Sequence, residues 1–134
     1  MSTIQFDLVT PERTVISRPV DMVVTKTTVG ELGILPGHAP LVASLAIDVL
    51  RIKEGEQTHE LAVHGGFMEV TPKRIVVLAE AAEFPEEIDV DRAMAAKERA
   101  EQRLAQKGNP DIDFKRAELA LQRAMNRLKL ASNK

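Results

Sequence analysis

The 134 residues include no cysteine, which excludes disulfide staples, thiolate nucleophiles and cysteine-held zinc. Tryptophan and tyrosine are absent too, and four phenylalanines are the whole aromatic complement. That leaves little surface on which nucleic-acid bases could stack, so no nucleic-acid partner is expected. No apolar run approaches the ~20 residues that a membrane-spanning helix needs. The first residues, Met1–Asp7, have neither the basic nor the apolar region of a secretory signal. The phosphate-binding loops GxxxxGK[ST] and GxGxxG are missing as well. Together these absences point to a soluble protein kept in a reducing compartment inside the cell. The length suits one compact domain, or a small domain with an appendage, with enough chain to bury a core unaided.

What is present changes character at Phe84–Ala93. Before Pro85, β-branched runs alternate with turn residues at short intervals, as in a β-sandwich or flattened barrel. The expected strands are Ile4–Val9, Thr14–Ser17, Val20–Thr28, Leu41–Leu45, Ile47–Lys53, Thr58–Val63, Phe67–Val70 and Arg74–Ala79. Gly65-Gly66 marks a sharp bend or a bulge. Ile75-Val76-Val77-Leu78 is apolar on both faces and reads as a central strand. Pro85 has no N–H for a sheet ladder and ends the strand region. Beyond it Ala93, Ala96, Ala100 and Leu104 recur at helical spacing, as do Phe114, Ala117, Leu121, Ala124 and Leu128. Asp89 is placed to cap the first helix and Asp111 or Asp113 the second. Gly108-Asn109-Pro110 separates them, so the two pack as an antiparallel hairpin. The expectation is an α+β chain: a β-sandwich over residues 1–84, then a helical hairpin over residues 85–134.

Charge divides at the same joint. Residues 1–84 hold seven Lys/Arg against eleven Asp/Glu, whereas Arg92 onward holds eleven against five. A basic hairpin on an acidic body suggests an anionic partner for the hairpin. Arg92, Arg99 and Arg103 share one stripe of the first helix; Arg116, Arg123 and Arg127 share one of the second. If the hairpin turns near Gly108, Arg92 lies level with the interval between Arg123 and Arg127. Such a group repels itself unless an anion fills the space, and arginine forks suit phosphate oxygens. The plainer alternative is a solvated basic face with local ion pairs through Asp113 or Glu98.

No active site is visible. His38, His59 and His64 have no nucleophile or helical ligand spacing beside them, and His59 and His64 read as ordinary polar or satisfied histidines. No carboxylate pair is singled out, and no metal site is expected. Val29–Val42 carries three glycines and two prolines in an apolar setting, which suggests an irregular loop rather than a regular strand. Its functional reading is a shaped contact surface with Glu31 and His38 as polar tips.

Four stretches resemble the epsilon subunits of bacterial F-type ATP synthases, of the bacillar type: GELGILPGHAPLV at Gly30–Val42, AVHGGFMEV at Ala62–Val70, IDVDRA at Ile88–Ala93 and DIDFKRAELALQRAMNRL at Asp111–Leu128. The resemblance implies a sandwich of about ten strands and a mobile C-terminal hairpin on a non-catalytic rotor-stalk subunit. Its implied partners are the gamma subunit, the c-ring and the alpha/beta catalytic head, at the cytoplasmic face of the plasma membrane without a span of its own. Glu31 and His38 fall in the region facing the c-ring. The extended hairpin would approach an acidic segment of beta and restrain ATP hydrolysis.

In some members the folded hairpin binds ATP through Ile/Leu-Asp-x-x-Arg-Ala. Carried onto this chain, Glu83, Ile88, Asp89 and Ala93 would line the base and ribose, and Arg92, Arg99, Arg123 and Arg127 would hold the phosphates. ATP is then a regulatory ligand, with magnesium possible but not required, that stabilises the folded hairpin. Two features depart from the bacillar pattern: the linker Lys107–Pro110 is about one residue longer, and Asp91 adds negative charge beside the phosphates. The alternative from another class is a free-standing ATP-sensing adaptor module.

Overall fold

Among residues 2–132, which this computed structural model describes, eight strands come first and the helices follow. The chain divides into two compact units, Met1–Phe84 and Pro85–Lys134. In the first, the strands are β1 (Ile4–Val9), β2 (Thr14–Val20), β3 (Met22–Thr27), β4 (Gly30–Ile34), β5 (Leu41–Glu54), β6 (Gln57–Val70), β7 (Arg74–Ala79) and β8 (Ala82–Glu83). They form one sheet in the order β2-β1-β7-β6-β5-β3-β4, with β8 pairing β6. Every pairing is antiparallel except that of β1 with β7. Pro19 is tolerated in β2 because that strand lies at an edge.

Chain connectivity forces this sheet to curl. Only Asp21 separates β2 from β3, yet the two stand five places apart in the strand order. The β2 edge therefore comes round to the other side of the sheet. There Arg18 of β2 pairs with Glu54 of β5 at 2.6 Å, and the Asp21 N–H donates to the Lys53 carbonyl at 2.9 Å. The enclosed face holds Ile4, Phe6, Leu8, Leu50, Ile52, Leu61, Met68, Ile75 and Val77, all fully buried in one cluster. The strand-rich unit followed by two helices is the architecture expected from sequence.

The strand count is lower than about ten because β5 and β6 run for 14 residues each. The sequence breaks each of them in two, at Ala46 and at Gly65-Gly66. Hydrogen bonding nevertheless keeps one register across the break, pairing Leu45 with Gly66 and Ile47 with His64. The inward-facing residues change parity there, from Leu61 and Val63 to Met68 and Val70 on β6. Gly65 and Gly66 supply the bend with φ of 77° and 129°. A Cβ on Gly66 would collide with the Leu78 carbonyl oxygen, so β7 could not approach β6 this closely.

A second difference concerns Val29–Val42. Its first part is not irregular: Gly30–Ile34 pairs residue by residue with β3. The turn before it is closed by the Thr27 hydroxyl, which donates to the Gly30 carbonyl at 2.8 Å and accepts from the Val29 N–H at 3.2 Å. Glycines at 30 and 33 do not prevent an edge strand when the backbone ladder carries it.

The second unit begins with a short 3-10 helix, Pro85–Glu87, and continues with α1 (Val90–Leu104) and α2 (Phe114–Ala131), which pack along each other. Ala93 and Ala100 are buried on α1, and Ala117 and Ala124 on α2. The equal seven-residue spacings put the two alanine pairs level once the helices run antiparallel. The first helix stops earlier than the glycine suggests. After Leu104 the chain unwinds through three-residue turns, Gln106 to Arg103, Asn109 to Gln106 and Ile112 to Asn109, with Gly108 at φ 82° between them.

Candidate functional site

The residues singled out in the hairpin gather at the start of α1 and along the flank of both helices. Ile88 is buried, and its N–H donates to the Pro85 carbonyl at 3.2 Å to close the 3-10 turn. Asp89 is the N-cap of α1: its carboxylate accepts from the Arg92 N–H at 3.1 Å. Ala93 is buried one position further on. Arg92 and Arg99 are exposed, while Arg123 and Arg127 are half-buried on α2. The exposed guanidinium groups remain free to meet an anion, and the α1 N-terminus adds its own partial positive charge.

The hexapeptide at this helix start occurs twice. Ile88-Asp89-Val90-Asp91-Arg92-Ala93 is echoed by Ile112-Asp113-Phe114-Lys115-Arg116-Ala117. The second copy repeats the geometry: Asp113 caps α2, its carboxylate accepts from the Arg116 N–H at 3.0 Å, and Ala117 is buried. Capping and close helix packing thus account for Ile-Asp-x-x-Arg-Ala by themselves. An anion site at the first copy would need more than the motif, namely Arg99, Arg123 and Arg127. The choice between Asp111 and Asp113 as cap falls to Asp113.

Glu83 belongs to the first unit. It sits in β8 opposite Ala62, with its carboxylate 3.4 Å from Nε2 of His64. His64 is buried, not an ordinary satisfied histidine: neither ring nitrogen has a hydrogen-bond partner. His59 is half-buried on the same strand, opposite Ile52.

The loop pair separates. Glu31 lies in β4, mostly exposed, and faces Arg51 of β5 at 3.5 Å. His38 follows β4, and its Nδ1 donates to the Ala39 carbonyl at 2.7 Å, so that nitrogen is engaged by the chain itself. Two apolar side chains protrude beside Glu31 as well, Val29 at 94% and Leu35 at 55% exposure.

Another surface escapes sequence reading. Phe67 of β6 and Leu78 of β7 stand directly opposite each other and are 61% and 57% exposed. With Val9, Thr10 and Pro11 they line an open apolar groove, and Val42 adds a further exposed side chain on β5. The signal was Ile75–Leu78, apolar on both faces. β7 is central in the sheet, but its outer face is bare rather than covered. Among the described residues no group of three His, Asp or Glu side chains is arranged to hold a metal ion, and no helix is long and apolar enough to cross a membrane.

Two family models match in tandem: "ATP synthase, Delta/Epsilon chain, beta-sandwich domain" over residues 3–85 and "ATP synthase, Delta/Epsilon chain, long alpha-helix domain" over residues 86–132. The chain is 55% identical over 131 residues to the ATP synthase epsilon chain of Halalkalibacterium halodurans, covering 98% of each. It is 51% identical over 133 residues to that of Bacillus velezensis, covering 99% of this chain and 100% of the relative. Among solved structures it resembles a chain of the Euglena gracilis mitochondrial ATP synthase. The TM-score is 0.83 at 24% identity, over 100% of this chain and 83% of that one. That likeness concerns the fold.

Proposed function

The chain belongs to the epsilon-chain family of ATP synthases, and from that premise we propose that it works as a rotor-stalk subunit whose hairpin responds to ATP. As an epsilon chain it is a stalk subunit and not a catalytic one. In the proposed assembly the strand unit joins the gamma subunit to the c-ring on the cytoplasmic face of the plasma membrane. The apolar groove around Phe67 and Leu78 suits a lasting protein contact, and we assign it to gamma. Glu31, His38 and the protruding Val29 and Leu35 are assigned to the c-ring.

The hairpin is the regulatory part. Arg92, Arg99, Arg123 and Arg127 stand on two helices whose buried residues are mostly alanines, with Asn126 and Leu130 besides, so packing holds the pair weakly against its own charge. A polyphosphate offsets that repulsion in the packed state alone. At a concentration 100 times its Kd such a ligand adds about 2.7 kcal/mol to the state that binds it. Loss of ATP releases the helices, and the basic α2 reaches an acidic segment of the catalytic head and restrains hydrolysis. Ile88, Asp89, Ala93 and Glu83 are assigned to the base and ribose. The observation that carries this reading is the arginine set beside the Asp89-capped helix start.

The internal echo of the motif supplies the control for its test. Calorimetric titration with ATP and ADP compares wild type, Asp89→Asn and Arg92→Ala with Asp113→Asn and Arg116→Ala. Saturable ATP binding, weakened about tenfold or more by the first pair and unchanged by the second, is expected. No binding at millimolar ATP sinks the nucleotide site and leaves the stalk assignment intact. Equal losses from both pairs would reduce the motif to a pair of helix caps.

A further inference from the structure

Asn126 lies in the second half of α2 and is 5% exposed, and neither its Nδ2 nor its Oδ1 has a hydrogen-bond partner. The other buried side chains of the two helices are Ala93, Ala100, Ala117, Ala124 and Leu130, all apolar. At 3.6 residues per turn Asn126 stands about 200° round the helix from Ala124, so it is not part of the alanine seam. It shares its stripe with Leu130, one turn further on. Asparagine is a poor choice there on two counts. In water its amide hydrogen-bonds at both ends; buried without a partner it loses those bonds, whereas an apolar side chain has none to lose. It is also a weak residue for a helix interior, because its short side chain competes for backbone bonds outside the helix. Both effects act against the packed state of α2.

We infer that Asn126 is a built-in destabiliser of the packed hairpin: its unpartnered amide sets that state at a disadvantage, so the helices release once nothing else holds them. The inference rests on the regulatory reading of the hairpin given above and deepens it by naming a residue that tilts its equilibrium. On release the amide returns to water and regains the bonds that burial denies it. Elements that move belong to the least stable parts of a fold, and an apolar side chain at position 126 would take α2 out of that class. The same disadvantage makes the hairpin responsive. A ligand can shift only a state that is not already dominant, so a hairpin packed too firmly has no population left to gain.

The test measures amide hydrogen exchange of α2 in the full chain without nucleotide, for wild type, Asn126→Ala and Asn126→Leu. The first substitution removes the amide and leaves a small gap; the second keeps the branched outline. Met125→Ala and Met125→Asn, at a neighbouring position that is 51% exposed, measure helix propensity by itself and should differ about threefold. At least one Asn126 variant should slow exchange about tenfold or more, beyond that propensity ratio, with the strand unit unchanged. Exchange in both variants that is faster, or slowed no further than the ratio allows, overturns the inference. ATP hydrolysis by the assembled synthase is the functional arm, with the complex assembled without this chain setting the unrestrained rate. The slower-exchanging variant should bring hydrolysis at low ATP closer to that rate. Slowed exchange with the restraint of wild type overturns the inference, since the residue then destabilises a helix without tuning the hairpin. If wild type is itself unrestrained, the regulatory reading above has failed, and exchange decides the role of Asn126 by itself: slowing beyond the propensity ratio upholds the destabiliser, and its absence overturns it.

Discussion

Asp7 ties three strands together and makes part of their stability depend on pH. Its carboxylate accepts from the Ser17 hydroxyl at 2.6 Å, from Arg74 Nε at 2.7 Å and from the Gln5 amide at 3.1 Å, which joins β1 to β2 and β7. The Ser17 bond is the main cause that lowers its pKa below the ordinary 3.8; burial works against it, and Arg74 and Gln5 add to the lowering. A depressed carboxylate contributes stability that is complete above the unfolded value and fades as pH falls through the folded one. Asp7→Asn should therefore cost ~1 kcal/mol at neutral pH, where Arg74 remains largely solvated. The gap to wild type should close as pH drops below 3.8. Chemical denaturation at pH 7 and pH 3 measures both halves of that expectation.

At the scale of elements, the hairpin is built for close approach rather than for a large core. Ala100→Leu should overpack the seam and destabilise the helix pair by about 1–3 kcal/mol, whereas Met94→Leu on the exposed face should be neutral. Helix content followed by circular dichroism on heating separates the two. The helices were legible in the sequence because short carboxylates at Asp89 and Asp113 precede runs of helical period. Their arginine stripes were legible for the same reason. The long strands were not: a sharp bend at Gly65-Gly66 looks like an end in one dimension, and only the register kept with β5 on both sides of it shows that it is not. The Phe67–Leu78 groove was hidden by a related ambiguity. An apolar outer face looks the same in sequence whether the protein covers it or leaves it for a partner. The burial of His64 without a hydrogen-bond partner was not legible, because the carboxylate it faces lies in β8, a two-residue strand too short to leave a periodic signal.

At the scale of the whole molecule, the first unit carries its own core, since every member of the buried cluster precedes Pro85. A chain ending at Phe84 should unfold cooperatively and still co-purify with gamma when the two are expressed together. Phe67→Glu in the full chain should abolish that association without lowering the melting temperature; a variant that still co-purifies would move the gamma contact elsewhere. The parallel pairing of β1 with β7 has a consequence for how this molecule comes into being. The first strand made must wait for the seventh before that edge can close, with Asp7 and Arg74 separated by 67 positions. Local helices form in about a microsecond or less, but a contact so distant along the chain is slow to find. On the ribosome the β1–β2 hairpin therefore emerges with one open flank and holds it through most of the synthesis of its unit. The arrival of residues 74–79 is the expected slow step of maturation, and a chaperone that shields exposed strand edges would act in that interval.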